Sequence, residues 1–220
     1  MLVAVILVLH IIVVGYWLGS DLVINSTFRY VSRTASLPFA ERDRLLDHVL
    51  DIDQHVRYAL ILQLWLGTTL SALLSYFLGG SRLAWLATIL GIAWLMLVEL
   101  THRLRRRPSG NRLGQLDRGL RYLTITILLA IGAGTWFGRF SVTGWLALKL
   151  ALLAGVMLCG LGIRFELVRY FRVWADIRTA GSTAGLEQRL LGRYASSTAF
   201  LVLLWLFVVA IVVVSIAKPA

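Results

Sequence analysis

Six apolar runs constrain this chain more than any other feature. They cover about Leu2–Ile24, Val56–Leu78, Leu83–Leu100, Tyr122–Phe137, Val142–Ile163 and Ala195–Ile216. A run of about 20 apolar residues has the length of a helix that crosses the hydrocarbon core of a bilayer. With no water there, backbone amides are satisfied only inside helices or closed barrels. The period-two alternation of a barrel strand is absent, so the runs predict helices. The expected fold class is an all-α integral membrane protein, a six-transmembrane-helix bundle. Composition points the same way: 59% of the 220 residues are hydrophobic and 15% are charged. A soluble globule of this size has no core large enough for that much apolar side chain, which excludes a soluble enzyme. The first run lacks a basic segment before it and a small-residue cleavage site, so it predicts a retained helix rather than a signal peptide.

The formal net charge is +11. In a soluble protein that would suggest nucleic acid. Here the positions of the charges decide. Eighteen of the 22 Lys and Arg residues follow the first, third and fifth runs, in linkers 25–55, 101–121 and 164–194 or at their edges. They include Arg29, Arg33, Arg42, Arg44, the cluster Arg103, Arg105, Arg106 and Arg107, and Arg164 to Arg193. Only Arg82, Arg139 and Lys218 mark the opposite side. This asymmetry predicts cytoplasmic linkers, both termini outside the cytoplasm, and a bacterial-type inner (plasma) membrane. The basic residues are then topology signals and anionic-lipid contacts, and no nucleic-acid partner is expected.

Two linkers carry helical patterns of their own. Residues Pro38 to Gln54 alternate charge with Leu45, Leu46, Val49, Leu50 and Ile52, which predicts an amphipathic helix running into the second span. Glu166 to Ala180 extends the fifth helix, with Gly181 as its stop. There is also an internal repeat. Asp53-Gln-His-Val-Arg57-Tyr58 resembles Asp117-Arg-Gly-Leu-Arg121-Tyr122, and Ala84-Trp85-Leu86-Ala87 resembles Gly144-Trp145-Leu146-Ala147. The second and third runs and the fourth and fifth thus read as two copies of one hairpin, with Arg193-Tyr194 as a partial echo. In this alignment His55 stands opposite Gly119 and Lys149 opposite Ile89.

Ionisable groups inside a span are costly and are functional candidates by default. His10 and Lys149 both fall about 10–14 Å below the outer edge at 1.5 Å per residue, a shared depth that permits them to line one pocket. An imidazole there is suited to haem iron or copper. A lysine there is suited to a haem propionate, an anion or a proton. A second group lies towards the inner edge: Asp21, then His48, Asp51 and His55 on one helical face, then Glu99 and His102 in an E-x-x-H pair. That spacing is used by di-iron bundles, so His55, Glu99 and His102 join His10 as metal-ligand candidates. The competing readings are a packing histidine, a snorkelling lysine and ion pairs with the many arginines. The tryptophans, Trp17 and Trp145 among them, suit an interface belt or the wall of a porphyrin pocket. A lone Cys159 excludes a disulfide framework. No motif for nucleotide hydrolysis, serine hydrolysis, c-type haem or zincin chemistry is present.

Three segments together resemble a known superfamily. The first helix reads Leu9-His10-Ile11-Ile12-Val13-Val14-Gly15-Tyr16-Trp17-Leu18-Gly19. The fifth reads Gly144-Trp145-Leu146-Ala147-Leu148-Lys149-Leu150. The end reads Val212-Val213-Val214-Ser215-Ile216-Ala217-Lys218-Pro219. This is similar to the HemJ-type protoporphyrinogen oxidases and the copper-resistance CopD domains. The resemblance implies haem b, with the helix-one histidine and the helix-five lysine as the functional residues, at His10 and Lys149 here. Those proteins have about four helices, and this chain has an additional hairpin. For the copper branch, Met1, Met96, Met157 and Cys159 are the only soft ligands available for Cu(I).

The expectation is a haem b membrane protein serving electron transfer or oxidation of a small lipophilic substrate. His10 is its axial ligand, and His55, Trp17 and Trp145 are further cofactor-binding candidates. Lys149 is the catalytic candidate, as propionate or substrate partner. The alternatives are copper, iron or other metal handling and transport, or a structural subunit of a larger membrane complex. Expected partners are the bilayer, an electron-transfer partner or larger complex, and a second copy of the chain.

Overall fold

The structure is a computed structural model that describes residues 1–77, 79–104, 107–140 and 142–218. Leu78, Arg105, Arg106 and Pro219, used in the sequence reading, lie outside the described residues. Among the described residues the chain is all helical. Its elements are α1 (Leu2–Arg33), α2 (Phe39–Leu73), α3 (Gly80–Arg103), α4 (Pro108–Trp136), α5 (Gly144–Ala180) and α6 (Ala184–Ala217). All six contain a stretch long and apolar enough to cross a membrane, with mean hydropathy from 1.2 for α2 to 3.2 for α6. Leu7, Ile11, Ile12, Ile89, Leu206 and Val209 are among the many large apolar side chains left exposed. In water such a surface would aggregate; in lipid it is the solvent-facing side.

The helices run further than the apolar stretches because amphipathic sequence continues them. α2 begins just after Pro38, whose fixed φ suits a helix start, and its first turn carries Glu41. α5 continues through the expected extension to Ala180 and stops at Gly181, which takes φ +83°. α6 then starts behind Thr183, whose Oγ1 accepts from the Leu186 amide. The end of α2 differs from expectation. The apolar run reaches about Leu78, yet the helix closes at Leu73. Ser75 adopts the left-handed region (φ 60°), its amide bonds to the Ala72 carbonyl, and the Tyr76 amide reaches back to the Ser71 carbonyl at 2.9 Å. That is a Schellman closure with serine in the position glycine usually takes. Gly138 closes α4 in the same way.

The chain divides into two compact units, residues 1–23 with 50–123 and residues 24–49 with 124–220. In the first, consecutive helices pack antiparallel. His10 and Tyr16 of α1 meet Gly67 and His55 of α2, in reverse order. Gln54 and Trp65 of α2 meet Val98 and Thr88 of α3. Gly91 lets α3 close on α2: a Cβ there would stand 2.6 Å from the Trp65 ring. Trp94 of α3 meets Asp117 of α4.

In the second unit α5 and α6 lie side by side, with Phe207 over Gly155 and Phe200 over Gly162. Its other part is a polar helical headpiece formed by the end of α1, the start of α2, the end of α5 and the start of α6. Phe28, Val31, Leu46, Val49, Tyr170, Val173, Trp174, Ile177, Leu190 and Tyr194 form its core.

Candidate functional site

In the first unit, α1 presents His10 and Trp17 seven residues apart, on one face of the helix and about 10 Å along its axis. His10 is half-buried against α2. The absence of a side chain at Gly67 makes that possible: a Cβ there would stand 3.3 Å from His10 Cε1. One turn earlier on α2, the buried amide of Gln63 donates to the His10 carbonyl at 2.8 Å. Trp17 is 5% exposed, and its indole N–H has no hydrogen-bond partner among the described residues. The hydroxyl of Thr69 on α2 is in the same condition. Buried polar groups are nearly always satisfied, so an indole N–H on the His10 face with no acceptor among the described residues is unusual.

His55 is exposed, and its Nδ1 lies 2.5 Å from the Tyr16 hydroxyl. On α2 it is twelve residues from Gly67, a rise of about 18 Å. The two imidazoles are therefore at different levels of the unit and do not come together on one metal ion. Glu99 of the E-x-x-H pair is held by the Tyr58 hydroxyl and by Arg103. Its carboxylate is thus engaged in an ion pair, as the plainer sequence reading has it, and His102 is half-buried one turn further along. Among the described residues no three His, Cys, Asp or Glu side chains converge as a metal-binding group.

The two D-x-x-x-R-Y motifs make the same local contact. Arg57 bonds Asp53 at 2.8 Å and Arg121 bonds Asp117 at 3.1 Å, each one turn along the helix. They differ in burial. Asp117 is 4% exposed and also accepts from Trp94 Nε1 at 2.9 Å. Arg193, the partial echo, pairs instead with Glu166 at 3.5 Å.

Lys149 and Trp145 belong to the second unit, His10 and Trp17 to the first. Lys149 is half-buried in α5 and has no hydrogen bond or ion pair among the described residues. Ile89, its counterpart in the repeat, is exposed. Trp145 is half-buried, with the Lys218 ammonium 5.8 Å from its ring centroid.

The headpiece of the second unit holds the densest polar network, which sequence reasoning missed. Arg42 is 1% exposed. It donates through Nε to the Val31 carbonyl at 3.1 Å and through both terminal nitrogens to Glu187 at 2.7 and 2.8 Å. Its guanidinium also lies over the Trp174 ring. Trp174 donates to Asp43 at 2.8 Å and stacks on Phe39. Ser182 adds a third donor to Glu187. Glu187 precedes the apolar stretch of α6, and its bonds to Arg42, reinforced by Ser182, hold its carboxyl below the usual carboxylate range. The only sequence signal for this was a run of charges interleaved with apolar residues.

No family model, no curated protein and no solved structure matches the chain.

Proposed function

We propose that the chain is a multi-pass membrane protein that binds haem b through His10 and serves electron transfer or oxidation of a small lipophilic substrate. The observation that carries this is the pairing, on one face of α1, of a half-buried imidazole with a buried indole N–H that has no acceptor among the described residues. A group offering both a metal for nitrogen and a carboxylate for an N–H donor suits that pair, and haem b has both. The residues fit the group in chemical kind. A neutral imidazole ligates iron. A half-buried ammonium with no carboxylate on it, Lys149, suits an acidic group of a bound molecule. Haem supplies one-electron exchange between its ferric and ferrous states. The separation of His55 from His10 along α2 leaves one protein imidazole of this pair for one iron.

The charge asymmetry supports the accompanying topology: both termini outside the cytoplasm of a bacterial-type plasma membrane. A reporter fused to the C-terminus that is active only outside the cytoplasm should be active.

The deciding experiment is the absorption spectrum of protein purified from cells with haem available. A Soret band is expected, lost in His10→Ala. A colourless wild type overturns the proposal. Stoichiometric copper in elemental analysis would replace haem with metal handling.

A further inference from the structure

The end of α1 has two faces. Phe28, Val31 and Ser32 are buried in the headpiece. Ser26, Arg29, Tyr30, Arg33 and Thr34 fall on the other side, at the i, i+3, i+4, i+7, i+8 spacing of one helical stripe, and together line an open concavity. Arg29, Tyr30 and Arg33 are exposed. The arginines of this unit divide accordingly. Arg42, Arg169, Arg178 and Arg193 each lie on a carboxylate. Arg29 and Arg33 have no ion pair among the described residues, and no acidic side chain lines their concavity.

Their level matters. The apolar stretch of α1 ends at about Ile24. At 1.5 Å per residue, Ser26 lies about 3 Å beyond it, Arg29 about 8 Å and Arg33 about 14 Å. The headgroup layer begins where the hydrocarbon ends and is about 5–8 Å deep, so Ser26 and Arg29 stand at its level, and Arg33 lies beyond it on a helix whose side chains lean back towards the N-terminal turn. Guanidinium groups bind phosphate oxygens in pairs, and a hydroxyl adds a donor.

We propose that Arg29 and Arg33, with Tyr30, Ser26 and Thr34, form a binding site for the phosphodiester headgroup of an anionic phospholipid where α1 leaves the bilayer. The inference rests on the membrane-spanning character of α1 and is independent of haem.

The test uses the full chain in detergent with equimolar phosphatidylglycerol and phosphatidylcholine, with bound lipid read by native mass spectrometry. Wild type is expected to retain phosphatidylglycerol in about tenfold preference, the scale of one to two basic contacts at a membrane surface. Arg29→Gln with Arg33→Gln should abolish the preference, and Arg29→Lys with Arg33→Lys should keep most of it. Arg44→Gln, an exposed arginine outside the concavity, should leave it unchanged. Three results overturn the proposal: no preference in the wild type, an unchanged preference in the correctly folded double Gln variant, or an equal loss in Arg44→Gln. Displacement of the lipid by soluble glycerol phosphate at equal concentration would also overturn it, showing a site for free phosphate esters.

Discussion

Arg42 in the headpiece and Trp17 in α1 are both buried polar side chains, and their surroundings are opposite. Arg42 has a backbone carbonyl on Nε, a carboxylate on its two terminal nitrogens and an indole face beneath it. Trp17 has an indole N–H with nothing on it among the described residues. The difference separates two uses of a buried polar group. A charge whose three nitrogens are each engaged by the same chain holds the chain together, because removing either partner strands the other. A donor left open has been desolvated without return, which persists where a ligand supplies the missing acceptor. The abundant arginines drew attention in the sequence, yet the best-buried one among the described residues is structural.

The largest expected effect tests the closed side of that comparison. Arg42→Ala leaves the half-buried Glu187 carboxylate with Ser182 alone and takes the guanidinium from the Val31 carbonyl, and should cost about 3–5 kcal/mol. Denaturant unfolding followed by Trp fluorescence would measure it. Replacing both partners, Arg42→Met with Glu187→Leu, should cost far less, since no charge is stranded. A loss below about 1 kcal/mol in Arg42→Ala would mean that the network is ornamental. The same pair has a pH signature. Folding lowers the Glu187 pKa from its ordinary value of 4.5, so the contribution is complete above that value and fades as pH falls through the lower, folded one. The stability gap between wild type and Glu187→Gln should therefore narrow in acid below about pH 4.5 and stay constant from pH 6 to 8.

The two repeat motifs set the same contrast within one unit. Asp117→Ala removes a buried carboxylate shared by Arg121 and Trp94, and should cost about 3 kcal/mol. Asp53→Ala breaks a half-buried pair and should cost less than about 1 kcal/mol. Equal losses would show that burial does not distinguish the copies.

How far the sequence showed these things depended on the range of the interaction. The six spans, the amphipathic start of α2 and the stop at Gly181 are local, set by runs of side chains and by one residue's backbone freedom. The D-x-x-x-R-Y ion pairs are local as well, one helical turn apart. The headpiece is not. Arg42 and Glu187 are 145 residues apart, and nothing in either neighbourhood names the other. The early end of α2 was hidden because Ser75 adopts a conformation usually left to glycine. At the candidate site, His10 stood out by being ionisable in an apolar run, and Gly67 is one of the small residues of α2. That these two meet, that Gln63 bonds the His10 carbonyl, and that Trp17 is left with an open donor are facts of helix register. His55 and His10 stand at different levels for the same reason, since depth is fixed by the rise of α2 and not by residue type.

A pair of conservative changes then sharpens the open side. Trp94→Phe deletes an N–H bonded to the Asp117 carboxylate and should cost about 1.5–3 kcal/mol beyond the effect of the smaller ring. Trp17→Phe deletes an N–H with no acceptor among the described residues and should cost the cofactor-free protein only the change in packing. In haem-loaded protein, Trp17→Phe should additionally weaken retention. Losses of equal size in the two cofactor-free variants would show that the Trp17 donor is satisfied, and the reading of an open valence would fail.

The smallest effect concerns glycine. Gly15 and Gly67 differ in what stands over them: a Cβ at Gly15 meets nothing within 4 Å, whereas one at Gly67 meets His10 Cε1 at 3.3 Å. Alanine gains up to about 1 kcal/mol over glycine inside a helix. Gly15→Ala should show that gain in thermal unfolding. In Gly67→Ala the imidazole must shift by a few tenths of an ångström, and the crowding should offset the gain, leaving stability within about 1 kcal/mol of wild type. The His10 ring resonances should move in Gly67→Ala and stay put in Gly15→Ala. If both substitutions stabilise alike and neither moves His10, the imidazole is not held against α2, and the geometry that makes it a ligand candidate is lost with that contact.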